Sequence, residues 1–230
     1  MKKIGLLLFA VIAIVACSKE NTNTMYVSAS VKGLKKGTFY LQKQIDSMIV
    51  SVDSVNVDGT EDFLMTDEVM SPEMYYLTLG NSSKRISFFG EKDTVYINSQ
   101  LDLFGLKAKV KGSENQELLD KFNEIQQKFN NQKLDLIKEE FEARKVNSQD
   151  SIDVVAKKLK SWERRKYLYS TNFAVKNSNF EVAPYIALTD LFDANIGLLD
   201  TINNSLTPGI KESKYGKQLD RYIQGIKEAE

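Results

Sequence analysis

The sequence predicts an α+β protein, with an N-terminal antiparallel β-sandwich or open barrel followed by a long helical hairpin and shorter C-terminal helices. Three observations carry this. Apolar residues recur with a period close to two from Tyr26 to Val110; the period changes to a helical three-four rhythm at Gly112-Ser113; and turn residues divide the first half into seven or eight short runs. With 230 residues, 42% hydrophobic and 27% charged, the chain can build one large domain or two small ones.

In the strand half, Val27, Ala29 and Val31 alternate with Tyr26, Ser28 and Ser30, and Phe39 and Leu41 follow a turn at Gly37-Thr38. Met48, Val50 and Val52 share a face before the phase shifts to Val55 and Val57, which predicts a bulge near Asp53 and Ser54. Asp58-Gly59 reads as a hairpin-type turn. Further strands are expected at Phe63 to Met65, Met74 to Leu79, Arg85 to Phe89, Thr94 to Ile97 and Leu106 to Val110. Ser113 to Gln116 fits a capping box, in which Ser113 accepts from the Gln116 backbone and the Gln116 side chain reaches back. Leu118, Phe122, Ile125, Phe129 and Leu136 then mark a first long helix, and Ile152, Val155, Leu159, Trp162, Tyr169 and Phe173 a second. Shorter helices are expected near Val182 to Phe192, Leu198 to Leu206 and Lys214 to Lys227, with Thr207-Pro208-Gly209 breaking the chain before the last.

Lys2 and Lys3 precede an apolar run from Ile4 to Ala16, short for a membrane span and right for an export signal. The run ends Ile14-Val15-Ala16-Cys17, which resembles a bacterial lipobox and holds the only cysteine in the chain. That resemblance implies a lipoprotein signal peptide over 1–16, lipid attachment (diacylglyceryl and palmitate-type acyl chains) at Cys17 and a lipidated tether over 17–25. A β domain over 26–111 and a helical domain over 112–230 follow. The location implied is the bacterial cell envelope, lipid-anchored, with Ser18 favouring the outer membrane over the inner.

The stretches Val31-Lys32-Gly33-Leu34-Lys35-Lys36-Gly37-Thr38-Phe39-Tyr40-Leu41, Val52 to Gly59, Ser71-Pro72-Glu73-Met74-Tyr75-Tyr76-Leu77 and Val110 to Gln116 resemble an uncharacterised, domain-of-unknown-function family of Bacteroidota lipoproteins. There the β module and a helical region ending like Ser213-Lys214-Tyr215-Gly216-Lys217 precede a membrane-anchored thioredoxin-like (TlpA or AhpC/TSA) domain. The resemblance implies fold and lineage over residues 26 to 230, with the thioredoxin domain itself expected to be missing beyond Glu230. The shared residues are turn and strand residues and mark no catalytic centre.

Composition excludes several chemistries. Histidine is absent and Cys is single, so Ser-His-Asp and Cys-His triads, Cys-x-x-Cys redox centres and His- or Cys-rich zinc sites are excluded. Lys plus Arg equals Asp plus Glu at 31 each, so no bulk charge draws nucleic acid. No catalytic residue, cofactor or metal site is expected.

Four clusters are read as structural in preference to functional. Met48, Met65, Met70 and Met74 suggest core filler before a soft-metal site. Phe88-Phe89 with Tyr75-Tyr76 suggest one core and one surface ring before a stacking groove. Arg164-Arg165-Lys166, a possible phosphate or lipid-headgroup site, reads as a solvated helix face. Glu139, Glu140 and Glu142 read likewise. Asp followed by Ser or Thr and then an aliphatic residue, Met or Thr occurs five times, where composition predicts fewer than one. It resembles the O-glycosylation motif of Bacteroidota envelope proteins, with acceptors Ser47, Ser54, Thr94, Ser151 and Thr201.

The function expected is a non-enzymatic envelope lipoprotein, a binding or scaffold module held to the membrane by its N-terminal lipid and engaging an envelope protein or surface ligand. One alternative is an accessory that docks a separate thioredoxin-like protein, through the β module or the hairpin face carrying Trp162 and Tyr169. The other is a hydrolase using carboxylates alone.

Overall fold

The computed structural model describes residues 23–80 and 82–229. The signal, lipobox and most of the tether, including Cys17, lie outside the described residues. Eight strands, β1 (Thr24–Lys32), β2 (Lys36–Ile45), β3 (Met48–Asp58), β4 (Asp62–Glu68), β5 (Glu73–Leu79), β6 (Arg85–Gly90), β7 (Asp93–Gln100) and β8 (Lys109–Lys111), form two four-stranded sheets. Their orders are β4-β1-β7-β8 and β3-β2-β5-β6. Six helices follow: α1 (Glu114–Lys145), α2 (Gln149–Lys176), α3 (Val182–Asp190), α4 (Ile196–Ser205), α5 (Pro208–Lys211) and α6 (Lys214–Ala229). The α+β class is as the periodicity predicts. β1 starts at Thr24, two residues ahead of the expected start of the β domain, and Met25 is already fully buried.

The sheets face each other across a core that includes Val27, Phe39, Leu41, Tyr75, Phe88 and Ile97. β1 buries Met25, Val27, Ala29 and Val31 on alternate positions, as a strand with one covered face should. The sheets are antiparallel with one exception, since β1 and β7 pair in parallel from Met25↔Asp93 to Lys32↔Gln100. Alternation alone does not reveal this direction, because a parallel strand at a sandwich wall has the same period of two. The bulge is present. Leu41 faces Asp53 and Gln42 faces Ser51, so Val52 is the extra residue in β3.

Asp58-Gly59 does not close a hairpin. β3 and β4 lie in different sheets, and the turn, with Gly59 at φ 78°, carries the chain across the sandwich edge. The tight hairpin turn is Asp46-Ser47 between the paired Ile45 and Met48, with Asp46 at φ 52°.

The second sheet is covered on both sides near β5 and β6. Phe88 enters the sandwich core, whereas Phe89 joins Met74, Leu119, Phe122, Val182, Ile186 and Tyr215 in a separate cluster against the helices. The expected surface ring is therefore buried under a third layer, and the burial of β6 loses its alternation towards Gly90.

α1 and α2 form the long hairpin. Ser148 accepts from the Ser151 backbone to start α2, and the Trp162 indole N–H donates to the Phe129 carbonyl at 2.9 Å. The buried face of α1 carries Leu119, Phe122 and Gln126, which places Leu118 and Ile125 at its flank. Trp162 is only 7% exposed. It is packed between the helices, which removes it from the docking face anticipated for a partner protein. Pro208 opens the single-turn α5, where its missing N–H costs nothing.

Candidate functional site

A cleft of about 660 Å³ opens where the sandwich meets the helices. β6, β8 and Gly105 supply one wall, α1 the floor, and α2 and α3 the far end. Its assembly begins at Gly112, where φ is 90° and a Cβ would lie 2.2 Å from the Thr94 carbonyl oxygen. Only glycine lets the chain pass this close to β7 before α1 begins.

Ser113 caps α1 by accepting from the Gln116 N–H at 3.0 Å, the predicted half of the capping box. The other half is replaced. Gln116 Oε1 accepts from the Phe89 N–H at 2.8 Å, and Gln116 Nε2 donates to Asp120 Oδ1 at 2.6 Å. β6 is a sheet edge, so the buried Phe89 N–H has no strand partner on that side and claims the glutamine. One side chain thus fastens α1 to the sheet and orients Asp120 in the cleft.

Further along, Gln126 is buried and donates from Nε2 to Ser170 Oγ at 3.0 Å and Asp190 Oδ2 at 3.4 Å. Ser170 Oγ donates to the same Asp190 oxygen at 2.5 Å, and Lys166 pairs with Asp190 Oδ1 at 2.9 Å. Asp190 therefore ties α1 and α2 to the end of α3 and neutralises Lys166. Among the described residues, the side chains of Asn123 and Asn130 on α1 make no hydrogen bond, and Lys109 and Lys111 on β8 make no ion pair. Those four groups face the cleft without an intramolecular partner.

Burial pushes the Asp120 carboxyl above its ordinary 3.8, Gln116 opposes this by hydrogen bonding, and Glu124 and Glu117 add to it. The native state then keeps this proton to higher pH than the unfolded chain does. Its contribution favours folding at low pH and is lost as pH rises through the native value. Asp120→Asn is expected to remove that component, so the stability difference between variant and parent grows in the variant's favour from pH 3.5 to 7. Melting temperatures of the two proteins across this range test it, and parallel curves would count against it.

The sequence-derived candidates do not converge on the cleft. Met65 and Met74 are buried in different clusters, and Met48 and Met70 are 66% and 86% exposed, so the four form no site. Glu139, Glu140 and Glu142 pair with Lys158, Arg144 and Lys145 on the hairpin surface. Of the Asp-Ser and Asp-Thr positions, Ser47 is exposed in the β2–β3 turn and Ser54 on β3, while Thr94 is half-buried on β7. Ser151 is exposed at the start of α2 and shares a hydrogen bond with Ser148; Thr201 donates back to the Gly197 carbonyl in α4. Only Lys166 of the basic triplet reaches the cleft. Asn123, Gln126, Asn130 and Asp190 were not singled out by the sequence. The available signal was Gln126, an amide one residue from the apolar position the rhythm assigned to Ile125.

Among the described residues no helix is long and apolar enough to cross a membrane, and no group of three or more Asp, Glu or Cys is placed to hold a metal. No curated protein and no solved structure matches the chain. From the second residue of β1 into the second turn of α1, residues 25–119 match the family model DUF4369, a domain of unknown function.

Proposed function

We propose that this is a lipid-anchored cell-envelope binding protein, held by acyl chains on Cys17, whose cleft between sandwich and helices takes a small polyhydroxylated ligand of the saccharide type. The observation that carries the reading is the set of unpartnered polar side chains on the cleft walls. Amides of Asn123 and Asn130 each offer a donor and an acceptor, Lys109 and Lys111 add donors, and Gln126 Oε1 and Asp120 Oδ2 add acceptors. Hydroxyl groups, which both donate and accept, complement such a mixed lining. A strongly charged ligand is poorly matched, because lysines and aspartates both line the opening.

Calorimetric titration with a panel of neutral mono- and oligosaccharides tests the site. Binding by at least one is expected, weakened about tenfold or more by Asn123→Ala with Asn130→Ala, as the loss of two hydrogen bonds implies. Absence of binding across the panel, or undiminished binding by the double variant, refutes it. The anchor is tested separately by labelling cells with radioactive palmitate, which Cys17→Ser should abolish.

A second reading has one observation in its favour. Asp120, with its raised carboxyl, lines the same cleft as Asp190 and could act as a general acid in a carboxylate-only hydrolase. Release of nitrophenol from nitrophenyl glycosides, lost in Asp120→Asn, would establish it.

A further inference from the structure

The solvent side of α2 carries a stripe that takes no part in the cleft and meets α1 through the Lys158–Glu139 ion pair. Val154, Lys157, Lys158, Arg164, Arg165 and Leu168 follow one another at steps of three, one, six, one and three residues, which places them on one side of the helix. Every one is exposed, Val154 by 51% and Leu168 by 43%. The buried Val155, Trp162 and Ser170 occupy the other side. Of the four cations, only Lys158 has an ion pair among the described residues, 2.5 Å from Glu139; the neighbouring Asp135 is engaged by Lys138 at 3.6 Å.

We infer that this stripe is a contact site for an anionic bilayer surface. Four clustered cations stand out from a chain whose formal net charge is zero, so the attraction is local to this face and not a property of the whole protein. Long basic side chains around isolated aliphatic residues suit the interfacial zone, where the ammonium and guanidinium groups meet phosphates while Val154 and Leu168 enter the headgroup boundary. A helical protein partner would need apolar anchors every three or four residues along the stripe, and the central positions here are basic or Ser161. The inference rests on the anchor proposed at Cys17. Six residues lie between Cys17 and Thr24, and the seven steps from one to the other span no more than about 25 Å, which keeps the domain at the membrane.

The test uses the full lipidated chain carrying Val154→Cys, labelled there with an environment-sensitive fluorophore and mixed with vesicles of phosphatidylcholine alone or with phosphatidylglycerol. Retention on both vesicles with a blue shift only on the anionic ones is expected. The shift should vanish in about 0.5 M salt, where screening is short-ranged, and in Arg164→Gln with Arg165→Gln. Retention on both without a shift on the anionic ones overturns the inference and leaves the anchor intact. Failure to stay on phosphatidylcholine refutes the anchor; in that case retention by anionic vesicles upholds the stripe and retention by neither overturns it. A shift with polyglutamate but not with vesicles would identify an acidic polypeptide as the partner and overturn it too.

Discussion

Phe89→Ala is expected to cost about 3–5 kcal/mol, the range for emptying a fully buried aromatic site. Phe89 has no exposed surface, and its ring meets Tyr185 and Tyr215 edge-on at centroid distances of 5.2 and 6.1 Å. With Met74 it presses the second sheet on α1, α3 and α6, so the cavity opens between layers and not within the sandwich. The neighbouring Phe88 stays in the sandwich core. Urea unfolding followed by circular dichroism should show a lower midpoint, with helical signal lost ahead of strand signal. A loss below about 1 kcal/mol would mean that the layers are held together elsewhere.

Lys43→Met is expected to cost about 3 kcal/mol, because it strips the shared cation from a partly buried network. Lys43 Nζ lies 2.5 Å from Asp67 Oδ2, 3.2 Å from the Tyr75 hydroxyl and 3.6 Å from Glu73 Oε1. The Tyr75 hydroxyl donates to the same Asp67 oxygen at 2.7 Å, and burial pushes that hydroxyl far above its ordinary 10. Lys214 from α6 pairs with Glu73 and donates to the Gln44 carbonyl at 2.6 Å. The network thus joins both sheets to the last helix. With side-chain exposures of 14% and 16% for Lys43 and Asp67, Asp67 is left with little water to turn to, while Glu73 keeps its pair with Lys214. Adding Asp67→Asn should recover part of the loss, with a coupling of about 1–3 kcal/mol in a double-mutant cycle. Additive losses would show that the charges act independently.

Much of the fold was legible because its cause is local. The bulge at Val52 announces itself as a phase shift, and Ser113 caps the first long helix where the sequence places it. What escaped depends on partners distant in the chain. Whether β1 pairs in parallel with β7, and whether β3 turns into β4 or crosses to the other sheet, is fixed by which edge is vacant once the sandwich closes. Gln116 was read as a local cap, yet its side chain is claimed by Phe89, 27 residues earlier. The cleft was the least legible part. Asn123, Gln126 and Asn130 are ordinary polar residues of an amphipathic helix until α3 delivers Asp190 beside Gln126, 64 residues away.

Side-chain amide resonances of the isotopically labelled protein, followed during titration with the saccharides of the panel, report directly on ligand in the cleft. Shifts are expected at Asn123, Gln126 and Asn130 while Asn56 on β3 and Asn203 on α4 stay in place. Shifts confined to residues outside the cleft, or none at saturating saccharide, would contradict ligand binding there.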